Sequence, residues 1–463
     1  MTNNFPTAPR LNLQFSRRRS AYRPAWNPSE IPSVTVVGAG LAGCEATWQL
    51  VKRGVPVRLI DMKPGKYSPA HKSEGFAELV CSNSLKAEQL SNASGLLKAE
   101  MRALDGLILS CAEACRVPAG GALAVDRDKF SDLVTRTLKE HPLVSFESAL
   151  VDSVPDAPAI IATGPLTDPA LTDAIQALPG AKALHFFDAA APIVTADSLD
   201  MDKVFRASRY GRGSDYLNCP MTEAEYNAFY DALIGAELAE LHDFEKKLVF
   251  EGCLAVEILA SRGRQTLAFG PLKPVGLTDP RTGREPYAVV QLRQENEAGT
   301  LYNLVGFQTR LKWGEQKRVF SMIPGLENAE FVRYGVMHRN TYLNGPDMLG
   351  ANYALKDNPL IRFAGQLSGV EGYMESTASG MVAAIGLYKA LRGEEEPDFT
   401  GRTVLGALAR HVSSPSANFQ PMNANFGILD KLDERVRGKR SRYERTSERA
   451  IETLNEVIES YEL

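Results

Sequence analysis

The stretch SVTVVGAGLAGCEATWQLVKRGVPVRLID, residues 33–61, decides how the rest of the chain is read. A β-branched run, Val34 to Val37, enters Gly38-x-Gly40-x-x-Gly43, an amphipathic helix follows to about Arg53, and a second apolar strand, Val55 to Ile60, ends in Asp61. Strand, glycines, helix, strand and terminal acid in this order predict a βαβ unit that binds a dinucleotide. Gly38 permits the tight turn, Gly40 lets the backbone approach a pyrophosphate, and Gly43 allows close packing of the helix. Ala39, Leu41 and Ala42 complete the loop, whose helix N-terminus offers amide donors and the positive end of a dipole to the phosphates. Asp61, near the expected spacing of ~20 residues, accepts hydrogen bonds from an unphosphorylated ribose, which points to FAD or NAD rather than NADP at this site.

Two later stretches favour FAD. In APAIIATGPLTDPAL (157–171) an apolar strand breaks at Thr163-Gly164, a small-residue turn suited to passing beside a cofactor. In LIRFAGQLSGVEGYMESTASGMVAA (360–384) a strand meets a glycine-rich loop and a long small-residue helix. Backbone amides of that loop, with Gly365, Gln366, Gly369, Gly372 and Tyr373, are expected against an anionic flavin ring.

Length and composition set the frame. A chain of 463 residues with 44% hydrophobic content exceeds one ordinary core, so two domains or a domain with an insertion are expected. A net charge of −4 does not announce nucleic acid, although it leaves room for a local basic face. Six cysteines without paired spacing read as reduced thiols of a cytoplasmic protein, and no apolar run approaches the ~20 residues that span a bilayer. Cys44 reads as core and Cys219 as incidental. Cys111 and Cys115 have helical spacing but no histidine or second pair beside them, so no metal site is expected. Residues 1–30, with Arg10, Arg17, Arg18, Arg19 and Arg23, read as a disordered basic arm.

The stretches ELVCSNSLK (78–86), VPAGGALAVDRD (117–128), FEGCL (250–254), FGPLKPVGLTDPRTGREPYAVVQLRQEN (269–296), GVEGYMESTASG (369–380) and NANFGIL (423–429) form a long collinear series. In these the chain resembles the folate- and FAD-dependent tRNA uracil-5-methyltransferases, a branch of the flavoproteins that also holds a wobble-uridine-modifying enzyme. The resemblance runs from about Ser33 to Tyr461. It implies that a one-carbon unit passes from 5,10-methylenetetrahydrofolate to carbon 5 of a uridine in the tRNA T-loop. Reduced FAD would supply the electrons, and NADPH or NADH would reduce the flavin. The family's two functional cysteines fall on Cys81 and Cys253. In GVMHRNTYLNGP (335–346), His338, Arg339 and Asn340 follow a strand-like run and resemble a segment on the flavin side, where folate would stack.

The chemistry explains the need for a thiol. Carbon 5 of uracil attacks an electrophilic methylene only after a nucleophile has added at carbon 6, which makes Cys253 the candidate nucleophile. Nearby cations raise a thiolate fraction, and Arg262, Arg264 and Lys273 follow it in sequence. Glu251 or Glu257 would take the proton from carbon 5 or hold the uracil edge. Cys81 sits in a polar loop expected to lead into a helix, whose terminal amides would lower its pKa; it is expected as a second acid/base or as the holder of a flavin adduct. For RNA, residues 435–449 carry seven basic side chains with Tyr443 interleaved. Arg435, Arg437, Lys439, Arg440 and Arg442 are the expected phosphate contacts.

The expected fold is α/β. A Rossmann-like FAD-binding domain, glutathione-reductase-like, comprises 31–185 and 325–463, and a smaller α+β insertion, 186–324, forms the substrate domain. The insertion should contain an acidic helix over 222–248 and an alternating strand over 287–294. Alternatives with the same motifs are a sister enzyme acting on a ribosomal-RNA uridine and a related flavoprotein with a non-catalytic or different role.

Overall fold

The strand Val34–Val37 lies near the middle of a six-stranded sheet with its valines turned into core on both faces. The computed structural model describes residues 32–181, 183–189, 191–239, 254–335, 337–416 and 419–463. The arm expected over 1–30, and Glu251 and Cys253, lie outside the described residues. Across this sheet the order is Ala354–Leu355, Asn358–Phe363, Ala159–Ile161, Val34–Val37, Val57–Asp61 and Val144–Ser148. Every pair is parallel except the Ala354–Leu355 hairpin. Parallel neighbours need crossovers, and helices supply them. The first is Leu41–Val51, which packs along the long helix Tyr373–Leu391. They approach closely because Gly380 has no side chain: a Cβ there would stand 2.1 Å from the Ala42 carbonyl oxygen.

A second six-stranded sheet is antiparallel, in the order Phe205–Arg206, Tyr216–Met221, Ala288–Gln294, Leu301–Leu304, Ile193–Thr195 and Phe331–Arg333. Helices Glu223–Ile234 and Trp313–Phe320 join a separate apolar core with it, around Tyr226, Phe229, Phe307 and Phe320. A small sheet of Ser84–Ala87, Ala122–Val125 and Arg116–Val117 lies beside the first unit, and a two-stranded ribbon pairs Ala183–Ala189 with Met337–Leu343.

Four details depart from the sequence expectation. The acidic helix ends at Ile234, where Gly235 caps it, and Leu238 instead bridges to Leu311 as extended chain. The strand Ala288–Gln294 does not alternate: segment 270–279 folds over its second face, burying Val289 against Phe205 and Leu277. The Val289 N–H donates to the Leu272 carbonyl at 2.9 Å. Phe331–Arg333, expected with the flavin unit, pairs with Ile193–Thr195 in the second sheet. His338, Arg339 and Asn340 lie inside a strand rather than after one. Among the described residues, no helix is long and apolar enough to cross a membrane.

Candidate functional site

The glycine turn is built by close backbone contact. The Gly38 N–H donates to the Ile60 carbonyl at 2.7 Å, and φ of +102° at Gly38 is a conformation that side chains resist. A Cβ at Gly38 would lie 2.4 Å from the Ala162 carbonyl oxygen, and one at Gly43 would lie 1.8 Å from the Gly38 carbonyl oxygen. Gly40 is different, because a Cβ there would meet nothing within 4 Å. Its bare face is open to a ligand. Asp61 is aimed from the end of its strand by two backbone donors, Ala39 N–H at 2.6 Å and Lys63 N–H at 2.9 Å. Each carboxylate oxygen keeps a lone pair for ribose hydroxyls.

Gly38, Gly40, Leu41, Ala42 and Asp61 line a cleft together with Lys63, His71, Glu78 and Val80, with Thr163 and Gly164, and with Gly365, Gln366 and Tyr373. A side lobe between Asp61 and Leu150–Val151 extends it at the ribose end. The open face of Gly40, the aimed carboxylate and the first-turn amides of Leu41–Val51 fit the ADP half of FAD. Gly369 and Gly372 serve the turn rather than the cleft lining: both have positive φ, and a Cβ would strike the Phe419 ring at 2.4 Å and Glu375 Oε2 at 2.3 Å respectively. Lys63 and His71 carry no motif, and sequence reasoning gave none of the three, Glu78 included, a place in the site. Lys63 Nζ lies 3.7 Å from Glu78 Oε2, and burial pushes the His71 imidazole below its ordinary value.

Tyr373 joins the cleft to the Cys81 loop. Its hydroxyl accepts the Cys81 N–H at 2.7 Å and the Ser82 N–H at 3.1 Å, and burial pushes the phenol well above its ordinary value, so it stays neutral. The loop leads into the strand Ser84–Ala87, not a helix, so the expected helix-terminal amides are not there. The next helix begins at Ala93.

Cys44, Cys111 and Cys219 are core residues. Cys44 donates to the Ala39 carbonyl at 3.2 Å, burial pushes the Cys111 thiol up to about 12, and Cys219 is buried in the second core. Among the described residues no His, Cys, Asp and Glu group is placed to hold a metal.

The described residues on either side of Cys253 are anchored to one neighbouring segment. Ala239 N–H donates to the Arg310 carbonyl at 2.9 Å, and Val256 N–H to the Gln308 carbonyl at 2.7 Å. Glu257 is used up in this anchor, accepting from Thr309 Oγ1 at 2.9 Å and Arg310 N–H at 3.0 Å. It is a buried carboxylate whose oxygens both have partners in this anchor. Arg264, expected to lend charge to Cys253, instead bonds Asp231 and Asn227 and lies over the Tyr230 ring at 4.5 Å.

The ribbon lies beside the cleft, and the basic segment lines a cavity of its own. Thr341 N–H donates to the Pro165 carbonyl at 2.8 Å, setting the strand of His338, Arg339 and Asn340 beside the cleft loop; Asn340 is buried. Arg435 and Arg437 precede the helix Lys439–Tyr461 and line a cavity of about 750 Å³ with Phe426, Arg442 and Tyr443. Phe426 and Tyr443 stack at 4.2 Å, with the cations of Lys439 and Arg442 at 5.6 and 5.7 Å from the Tyr443 ring. Among the described residues Arg435, Arg437, Lys439 and Arg442 form no ion pair, whereas Arg440 pairs with Glu444. This wall is tied to the cleft, since Ala424 N–H donates to Glu375 Oε1 at 3.0 Å and Glu371 N–H to the Met422 carbonyl at 2.8 Å.

The comparisons with known proteins agree along the chain. The family model of glucose inhibited division protein A matches residues 33–395. The chain is 58% identical over 434 residues to the methylenetetrahydrofolate–tRNA-(uracil-5-)-methyltransferase TrmFO of Acetivibrio thermocellus, covering 93% of this chain and 100% of that protein. It is 54% identical over 429 residues to the TrmFO of Enterococcus faecalis, covering 92% and 99%. Among solved structures it is similar to Aquifex aeolicus GidA, with a TM-score of 0.65 at 13% identity, covering 94% of this chain and 74% of that one; this supports the fold.

Proposed function

The chain belongs to the glucose inhibited division protein A family and, within it, to the methylenetetrahydrofolate–tRNA-(uracil-5-)-methyltransferases, and from that premise we propose how its residues divide the work. It transfers a one-carbon unit from 5,10-methylenetetrahydrofolate to carbon 5 of a uracil in tRNA, and we place that uridine in the T-loop. When bound in the cleft, reduced FAD supplies the electrons that make the transferred methylene a methyl, and NADH or NADPH is the reductant. Gly38, Gly40, Asp61, Gly164 and Gln366 hold the cofactor.

The remaining steps fall to this chain's side chains. Cys253 adds to carbon 6, and carbon 5 then attacks the methylene as its bond to one folate nitrogen breaks; Glu251 takes the proton that carbon 5 loses as the second methylene–nitrogen bond breaks and tetrahydrofolate leaves, and once the methyl is formed the sulfur leaves carbon 6 to restore the ring. Cys81 acts beside the cofactor, on a loop fixed by Tyr373. Folate stacks near the strand of His338 to Asn340, and Arg435, Arg437, Lys439, Arg440 and Arg442 contact RNA phosphates. The unit built on the parallel sheet serves as the FAD domain and the antiparallel unit as the substrate domain, in a cytoplasmic enzyme. The observation that carries this reading is the cleft itself: the ribose carboxylate, the glycine turn and the residue that anchors the Cys81 loop line one continuous space.

The test uses the purified holoprotein, an unmodified tRNA transcript tritiated at uracil carbon 5, methylenetetrahydrofolate and NADH. Tritium release and 5-methyluridine are expected. The Cys253→Ala variant should remain yellow and release no tritium. Release by that variant, or methylation of a ribosomal-RNA fragment in place of tRNA, would overturn the reading.

A further inference from the structure

The loop 79–83 is strapped by three arginines far apart in sequence. Arg127, opening the helix Arg127–Lys139, donates to the Leu79 carbonyl and, at 3.3 Å, to the Cys81 carbonyl. Arg333 donates to the Val80 carbonyl. Arg293 donates to Ser82 Oγ at 2.6 Å and to Asn83 Oδ1 at 2.9 Å. Five consecutive residues therefore each accept from a guanidinium. Arg127 comes from the first unit, whereas Arg293 and Arg333 come from two strands of the second sheet.

Among the described residues the charges around the Cys81 loop do not balance. Arg127, Arg293 and Arg333 all interact electrostatically with Cys81, and among the described residues Glu295 is the carboxylate that faces them, 2.6 Å from Arg127 Nε. The titratable neighbours Tyr373 and Tyr216 are pushed up by burial and stay neutral. Among the described residues, three cations against one anion leave an excess of two positive charges in a largely buried setting. Such an excess is costly unless an anion joins it, and a thiolate is the anion this loop carries.

We propose that Arg127, Arg293 and Arg333 are positioning residues that fix the 79–83 loop and hold Cys81 Sγ as a thiolate beside the cofactor cleft. Two of the three charges belong to the substrate unit, so the seating of that unit sets the ionisation of a thiol carried by the other. The significance for catalysis rests on the role proposed above for Cys81; the ionisation itself does not.

Alkylation of the full-length protein by iodoacetamide from pH 5 to 9, with the Cys81 peptide followed by mass spectrometry, tests this directly. In the wild type the alkylation midpoint should lie below the ordinary thiol value of about 8.5. Arg333→Gln keeps an amide donor for the Val80 carbonyl but deletes the charge. It should slow alkylation about tenfold at pH 7 and leave it near wild type at pH 9, and Arg333→Lys should restore most of the pH 7 rate. A wild-type midpoint at or above the ordinary value overturns the proposal without any variant. So does an equal slowing at both pH values, which would signal access rather than ionisation. Full methylation by Cys81→Ser with the alkylation profile as expected would instead remove the catalytic role of Cys81 and leave the thiolate standing.

Discussion

The two ends of the cleft are built by opposite means. At the ribose end backbone touches backbone, with the Gly38 turn against Ala162 and Gly43 against Gly38, and the carboxylate of Asp61 is aimed by amides. At the cysteine end long charged side chains reach in from three elements and hold a loop by its carbonyls. Backbone contact is intolerant and local: one added carbon breaks it. A charge strap is graded and non-local, because each guanidinium can be removed with the others left in place. The difference suits the tasks. A cofactor needs a rigid cradle, whereas the ionisation proposed for Cys81 depends on charges that two separate units bring together.

The largest effect should come from the rigid end. Gly43→Val places its first carbon inside the Gly38 carbonyl and should cost at least about 3 kcal/mol, with no yellow protein recovered; urea midpoints and the visible spectrum report it. Gly40→Ala sharpens the contrast, since it has room to fold normally and should fail only in holding FAD. If it binds FAD as the wild type does, the open face is not the ligand's.

Tyr373→Phe breaks the junction between the ends. It leaves the Cys81 and Ser82 amides without their acceptor, for a loss of about 1–3 kcal/mol, and hydrogen exchange at those two amides should accelerate. Unchanged exchange would contradict the anchoring role.

A third prediction sets a buried carboxylate with only backbone partners against Glu295 with its arginines. Glu100 accepts from the Val404 and Leu405 amides at 2.8 and 2.9 Å, and burial pushes it from 4.5 up to about 8. Below pH 4.5 both folded and unfolded chains hold this proton; between 4.5 and about 8 the unfolded chain releases it and the folded chain keeps it, so its contribution falls as pH rises. The stability difference between wild type and Glu100→Gln should therefore decline from pH 5 to pH 8. A flat difference in urea midpoints would show that the two amides hold the anion after all.

The smallest effect belongs to the basic cavity. Arg435→Gln and Arg437→Gln should each lower the salt dependence of tRNA binding by about one phosphate contact, with FAD content unchanged. An unaltered slope would mark these side chains as solvated surface.

The contrast also explains what was legible in the sequence. Residues 33–61 announced their fold because each requirement there is met within a few residues: a turn that excludes Cβ, a strand end, an acid in register. Tyr373 was legible as a loop residue near the cofactor, though not as the anchor of Cys81, 292 positions away. The arginine strap was illegible because its members meet only after both sheets form; the one trace was an arginine, Arg293, in the apolar run AVVQLRQ. The partners of Glu257 and Arg264 were illegible for the same reason, since proximity in sequence to Cys253 says nothing about where the side chains are spent. The acidic helix was drawn too long because the pairing of Leu238 with Leu311 is a tertiary contact.

The central claim is that a sulfur of the substrate unit activates the pyrimidine. A tRNA carrying 5-fluorouridine at the target should trap it, because fluorine cannot leave carbon 5 as a proton does and the sulfur then stays on carbon 6. After incubation with holoprotein and methylenetetrahydrofolate, protease digestion and mass spectrometry should find the nucleotide on the peptide containing Cys253. The same adduct on the Cys81 peptide, or RNA recovered free of protein, would contradict the account.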